Sequence, residues 1–107
     1  MAAVKVVDER HKTRGGGTIR IETWHDPGGR QLVGYAMTYI NHRLTTQDNG
    51  RVLGFDNRHQ YRGFATRHHI HWCGSVRENR RFVSFDFTTR RFDHILARLS
   101  RIYRQAY

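Results

Sequence analysis

The chain has 107 residues, a length that suits one domain with a modest core. Nineteen Lys and Arg stand against nine Asp and Glu, a formal net charge of +10, and all but two of the nineteen are Arg. Two Trp, five Tyr and six Phe set the composition apart from a disordered chain, and the lone Cys73 excludes an internal disulfide framework. The sequence holds no run near the ~20 apolar residues of a membrane span, and charges interrupt its start, so a soluble, cytoplasmic protein is expected.

Residues 1–17 are polar, without a sustained period, and end in three glycines, which reads as a leading segment closed by a flexible break. Residues 18–24 alternate, with Ile19, Ile21 and Thr23 on one side. Asp26-Pro27-Gly28-Gly29 is a turn signal, and residues 31–40 follow as a strand in which Val33, Tyr35, Met37 and Tyr39 keep a period of two. Residues 41–47 read as a loop, and Asp48-Asn49-Gly50 leads into a strand over 51–55. A longer strand is expected over 64–72, placing Arg67, His69 and His71 on one face and Phe64, Ile70 and Trp72 on the other. Residues 74–80 read as a charged turn, and 81–87 as a last alternating strand.

The end of the chain changes period. With Thr88 or Thr89 as N-cap, Phe92, Leu96, Leu99 and Tyr103 recur at helical spacing, and neither Gly nor Pro follows Gly74. The expected architecture is therefore α+β in one domain over 1–107: a leading segment over 1–17, an antiparallel sheet of four to five strands over 18–87, and an amphipathic C-terminal helix over 89–106 packed on one face.

Four of the eight histidines lie between positions 59 and 71, close to Asp56-Asn57. Histidines at i and i+2 on a strand share a face, and three chemistries use such a pair. Two imidazoles with a carboxylate such as Asp56 ligate a transition metal. Alternatively, imidazoles that titrate near neutrality serve as general base and acid, with Arg67 offsetting charge on a phosphorane. They also contact phosphate without reaction. The blander reading is an exposed polar face, with Asp56-Asn57 a turn and His68 at the edge of the core. Cys73 has no second Cys at ligand spacing, and the chain lacks GxGxxG, Walker, HExxH and nucleophile-elbow motifs.

The charge favours a polyanionic partner, nucleic acid or an acidic protein. Residues 80–107 carry seven basic and two acidic side chains and are the most basic third. Arg90, Arg91 and Arg98 on the helix, with Arg58 and His59 beside Asp56, are the candidate nucleic-acid contacts. Trp24, Tyr35, Tyr39 and Trp72 either stack on bases or pack in the core.

The segments Arg51-Val52-Leu53-Gly54-Phe55-Asp56-Asn57, Arg67-His68-His69-Ile70-His71 and Phe85-Asp86-Phe87 leading into the helix resemble the small TumE-type toxins of bacterial type II toxin–antitoxin modules. The resemblance spans roughly residues 17–105, and Asp-Asn followed by His-x-His is its most specific part. It departs in a longer 41–47 loop and a longer 74–80 connection. It implies a toxin neutralised by a cognate antitoxin encoded beside it. A homodimer or a hetero-oligomer with the antitoxin is the expected assembly. With the charge, the resemblance leads to an expected metal-independent, cofactor-free endoribonuclease: His69 and His71 transfer protons, Arg67 stabilises phosphate and Asp56 orients a histidine. Two alternatives remain open, a non-catalytic nucleic-acid- or protein-binding module and a metal-dependent hydrolase built on His-x-His.

Overall fold

The computed structural model describes residues 3–107. Strands β1 (Val4–Lys12), β2 (Thr18–His25), β3 (Leu32–Ile40), β4 (Arg51–Asp56), β5 (His69–Trp72) and β6 (Ser75–Glu78) precede one helix, α1 (Phe85–Ile102). The six strands form one antiparallel sheet in which each strand pairs with its sequence neighbour. The class is α+β, as expected, with more strands than the four to five anticipated.

Both extra strands come from segments whose side chains hide the strand signal. Residues 4–12, expected as part of a leading segment, form the outer strand β1; residues 1 and 2 of that segment lie outside the described residues. Nearly all of β1 is exposed, so burial imposes no apolar alternation on it, and charged residues suit an open sheet edge. Ladder bonds to β2 hold it, with ion pairs from Lys5 to Glu22 at 2.7 Å and from Arg20 to Asp8 at 3.1 Å. At the other edge, the expected charged turn contains β6. Cys73 and Gly74 have φ of 45° and 92°, the left-handed pair of a two-residue hairpin in which Trp72 faces Ser75. Cysteine in the first of these positions conceals the turn.

Two expected strand stretches fold otherwise. Residues 64–68 are irregular, with bends at 65–67, and lead into β5, so the strand begins at His69. Residues 81–84 are irregular, and the helix begins at Phe85, four residues before expectation. Its N-cap is Ser84, whose Oγ accepts the Phe87 N–H at 3.1 Å. Thr88, one of the two expected caps, instead donates its hydroxyl back to the Ser84 carbonyl at 2.9 Å. Residues beyond Ile102 leave the helix before the expected end at 106.

The sheet has two unlike faces. Tyr35, Met37 and Tyr39 of β3 and Leu53 and Phe55 of β4 point to one side, where Phe92, Leu96 and Leu99 of α1 cover them; all eight are buried. Burial of each such side chain stabilises the fold by about 1.5–3 kcal/mol. Tyr35 and Tyr39 are therefore core residues and offer no stacking surface, whereas Trp72 remains 45% exposed. The opposite face, away from α1, carries Asp56, His69 and His71. Among the described residues no helix is long and apolar enough to cross a membrane.

Candidate functional site

The site is assembled across the β4–β5 pair. Asp56, the last residue of β4, stands directly opposite His69, the first of β5, and Gly54 stands opposite His71. Strand alternation puts all four on the face that α1 leaves uncovered. Gly54 has no side chain to occupy the space over the strand, so the His71 ring lies close above it.

The three polar side chains converge. Nε2 of His69 lies 2.6 Å from Oδ1 of Asp56, and Nε2 of His71 lies 3.3 Å from Oδ2. The two imidazole centroids are 4.8 Å apart at 77°. His69 is fully buried, His71 is 3% exposed and Asp56 6%. Nδ1 of His69 meets the Arg67 carbonyl at 3.0 Å; a carbonyl only accepts, so this nitrogen carries the proton. Nδ1 of His71 is turned toward Asp48, 3.9 Å from its Oδ2. Both Nε2 atoms are buried without a hydrogen bond of acceptable geometry, despite their short approach to the carboxylate.

Burial pushes the Asp56 carboxyl toward the neutral form, but the two imidazoles and the Arg58 backbone N–H outweigh it. The net effect holds the group well below the usual carboxylate range. The Arg58 N–H reaches Oδ1 at 3.0 Å. Asp56 is thus an anion inside the protein, and it requires compensating cationic charge.

The 57–68 loop folds back over the cluster. Tyr61 sets its ring edge-on to His69 at 4.7 Å and to His71 at 6.5 Å, and leans on Phe64 at 5.4 Å. Beside this cover, a cleft of about 510 Å³ opens onto His71, lined also by Gln47, Asp48, Arg51, Tyr61 and Val76. Simple alternation would place Arg51 with Leu53 and Phe55 on the helix side. The β3–β4 register shifts between Tyr39 and Ile40, leaving Val52 as the extra residue, and this bulge re-aims Arg51. Its Cδ lies 3.1 Å from where a Cβ of Gly54 would stand, and its Nε donates to Asp48 at 2.6 Å.

Of the residues anticipated for chemistry, Asp56, His69 and His71 come together. Arg67 does not join them through its side chain; it precedes β5, is exposed, and its Nε reaches the Asn57 carbonyl at 3.5 Å. Its backbone carbonyl is what contributes. Arg58 likewise acts through its backbone, while its guanidinium lies 3.9 Å above the Trp24 ring. His59 is exposed and edge-on to Tyr61 at 6.4 Å. Arg90 and Arg98 are exposed on α1, in the layer on the far side of the sheet from the cluster. Arg91 is partly buried there, donating to Asn79 Oδ1 at 3.0 Å. The anticipated nucleic-acid contacts therefore occupy both sides of the sheet and form no single patch with the histidines.

Cys73 lies in the β5–β6 turn, away from the cluster. His68 is a core-edge residue, stacked on Phe82 at 3.6 Å with Nδ1 2.7 Å from the Tyr35 hydroxyl, and burial lowers its pKa. Tyr61, Asp48 and Arg51 were not anticipated. Only Asp48, within a turn signal beside the Arg51 strand, left a trace in the sequence. No family model, no curated protein and no solved structure matches the chain.

Proposed function

We propose that this protein is the toxin of a bacterial type II toxin–antitoxin pair and that it acts on RNA, with Asp56, His69 and His71 as its reaction centre. One observation carries the reading. A buried carboxylate and two imidazoles converge beside a cleft bordered by Arg51 and Tyr61, in a chain whose net charge is +10. Such a charge draws polyanions, and an acidic segment of the antitoxin is the matching inhibitor.

RNA cleavage through the 2′-hydroxyl needs a base at that oxygen, an acid at the leaving 5′-oxygen and positive charge beside the phosphate. In this reading His69 lies behind His71 with its Nδ1 on the Arg67 carbonyl, so it positions its neighbour and the proton transfer is assigned to His71. His71 is the edge that the cluster presents to the cleft, Asp56 and His69 position it, and Arg51 is the nearby guanidinium for phosphate. In this reading Arg51, at the cleft, takes the phosphate-stabilising role expected of Arg67.

The test is incubation of the purified chain with total cellular RNA, beside the His71→Ala variant checked for folding by circular dichroism. The expected result is cleavage by the parent chain and at least ~100-fold less by the variant, the range of a lost acid–base group. A folded parent chain that leaves RNA intact overturns the ribonuclease reading in favour of a non-catalytic binding module.

A further inference from the structure

We infer that Asp56, His69 and His71 form a binding site for one divalent first-row transition metal ion of the Zn²⁺ type, held by both Nε2 atoms and an Asp56 carboxylate oxygen. One donor atom from each of the three residues lies within 4.8 Å of the other two. The spacing suits an ion between them. Bonds of ~2.0–2.1 Å in tetrahedral geometry set ligand atoms roughly 3.3 Å apart. The His71–Asp56 separation is 3.3 Å, the His69–Asp56 separation of 2.6 Å has to open by about 0.7 Å, and the widest donor pair, within 4.8 Å, has to close.

The placement of the donor atoms makes the case for a cation. Nδ1 of His69 is taken up by the Arg67 carbonyl, which leaves Nε2 as the atom directed at Asp56. Nε2 of His71 approaches the other carboxylate oxygen. Both Nε2 atoms are buried, and neither has the alignment a hydrogen bond needs. A single doubly charged ion satisfies all three donors together.

The surroundings match metal-ligand practice. A histidine ligand commonly gives its other ring N–H to a backbone carbonyl or a carboxylate, which fixes tautomer and orientation. His69 has the first kind of partner, whereas Nδ1 of His71 lies 3.9 Å from Asp48 Oδ2, beyond hydrogen-bond reach. Two imidazole nitrogens and one carboxylate select Zn²⁺, Fe²⁺, Co²⁺ or Ni²⁺ over Mg²⁺ and Ca²⁺, which prefer oxygen ligands throughout. Three protein ligands leave room for a fourth, a water or a substrate atom. A bound ion would polarise a phosphodiester oxygen or ionise a water, a role that rests on the RNA reading above, whereas the binding does not.

The test uses the whole chain, stripped with EDTA and then titrated with Co²⁺ or Zn²⁺ in the absence of RNA. The expected outcome is one equivalent of Co²⁺ bound with a visible d–d absorption that Zn²⁺ bleaches, and a rise in melting temperature with either ion. Asp56→Asn and His71→Gln should lose more affinity than the ~10–100-fold that removal of an outer-shell partner costs, while His94→Gln keeps the parent value. Unfolding of a variant leaves a second readout in the parent chain: Zn²⁺ should shift the imidazole NMR signals of His69 and His71 and leave those of His42 and His94 in place. Absent Co²⁺ absorption, retained affinity in Asp56→Asn, or shifts on other histidines would overturn the inference. Metal binding without RNA cleavage sinks the RNA reading alone; RNA cleavage undiminished in EDTA, with no ion bound, sinks the metal site alone.

Discussion

Gly54 on β4 faces His71 on β5 so closely that a Cβ at position 54 would stand 3.4 Å from both Cβ and Cδ2 of the histidine, and 3.1 Å from Cδ of Arg51. Glycine inside a strand normally weakens it, and replacement by Ala gains roughly 0.5–1 kcal/mol where space allows. Here the added methyl group presses on the two side chains that border the cleft. Gly54→Ala should therefore leave the melting temperature within a few degrees while lowering Co²⁺ affinity and RNA cleavage about tenfold. Parallel melting and Co²⁺ titration of this variant would separate the two effects; equal losses in both would make Gly54 a packing residue only.

Tyr35 links the core to the site's strand through its hydroxyl, 2.7 Å from Nδ1 of His68. Burial, and secondarily the negative charge of Asp56, push its ionisation well above the ordinary tyrosine value of about 10. The folded state thus holds the phenol proton more tightly than the unfolded chain does. Stability from this group is fully present below about pH 10 and falls as pH rises above it. Tyr35→Phe should flatten that alkaline decline, and should cost about 1–2 kcal/mol at neutral pH because His68 loses its partner. Urea unfolding of both chains at neutral and alkaline pH measures both quantities.

The cap at Ser84 sets where the helix begins. Ser84→Ala should cost about 1 kcal/mol, within the ~0.5–2 kcal/mol range for lost N-caps. Thr89→Ala should change stability by less than about 0.5 kcal/mol, since Thr89 only back-bonds to the Phe85 carbonyl. Denaturant midpoints of the two variants decide between a helix starting at 85 and one starting at 89.

Phe92 lies wholly buried, its ring edge-on to Phe55 at 6.3 Å. Phe92→Ala should cost about 3–5 kcal/mol, a large share of the ~5–15 kcal/mol available to a small domain. Loss of near-ultraviolet circular dichroism at a markedly lower urea concentration is the expected readout.

Arginines on opposite sides of the sheet should behave differently toward RNA. Arg51→Ala, at the cleft, should lower the cleavage rate at saturating RNA. Arg90→Ala and Arg98→Ala, in the far layer, should leave that rate unchanged. If either contacts a single strand, its loss should reduce the slope of log affinity against log salt by about 0.7. Single-turnover rates and a salt series distinguish a residue that touches the reacting phosphate from one that only attracts the chain.

How much was legible depends on what each residue's signal required. Strands β2, β3 and β4 announced themselves because each turns alternate apolar side chains toward the core, and a period of two follows from that. Asp56, His69 and His71 were legible as a group because i and i+2 on a strand share a face whatever the register. That His69 falls directly across from Asp56 was not legible, because pairing is set by the 57–68 loop, whose shape has no period. The same loop brings Tyr61 over the cluster, and for that no signal exists. Arg67 was misplaced because the strand begins two residues later, so alternation never reaches it. Arg51 was hidden by a bulge, which reverses sidedness without leaving a mark on composition. β1 escaped because neither of its faces is covered, and β6 because its turn opens with Cys73 instead of the usual Asn or Asp.

A sheet whose strands all pair in sequence order is built from local contacts, and each hairpin closes in microseconds. In refolding, the histidine-bearing layer can therefore form before α1 docks. Until it docks, Tyr35, Met37, Tyr39 and Phe55 have no cover. A chain caught in that interval has its histidine-bearing side formed and its oily side bare, a state that self-association would exploit. Refolding at high protein concentration should therefore send this protein into aggregates that dilution avoids, even though no residue has changed.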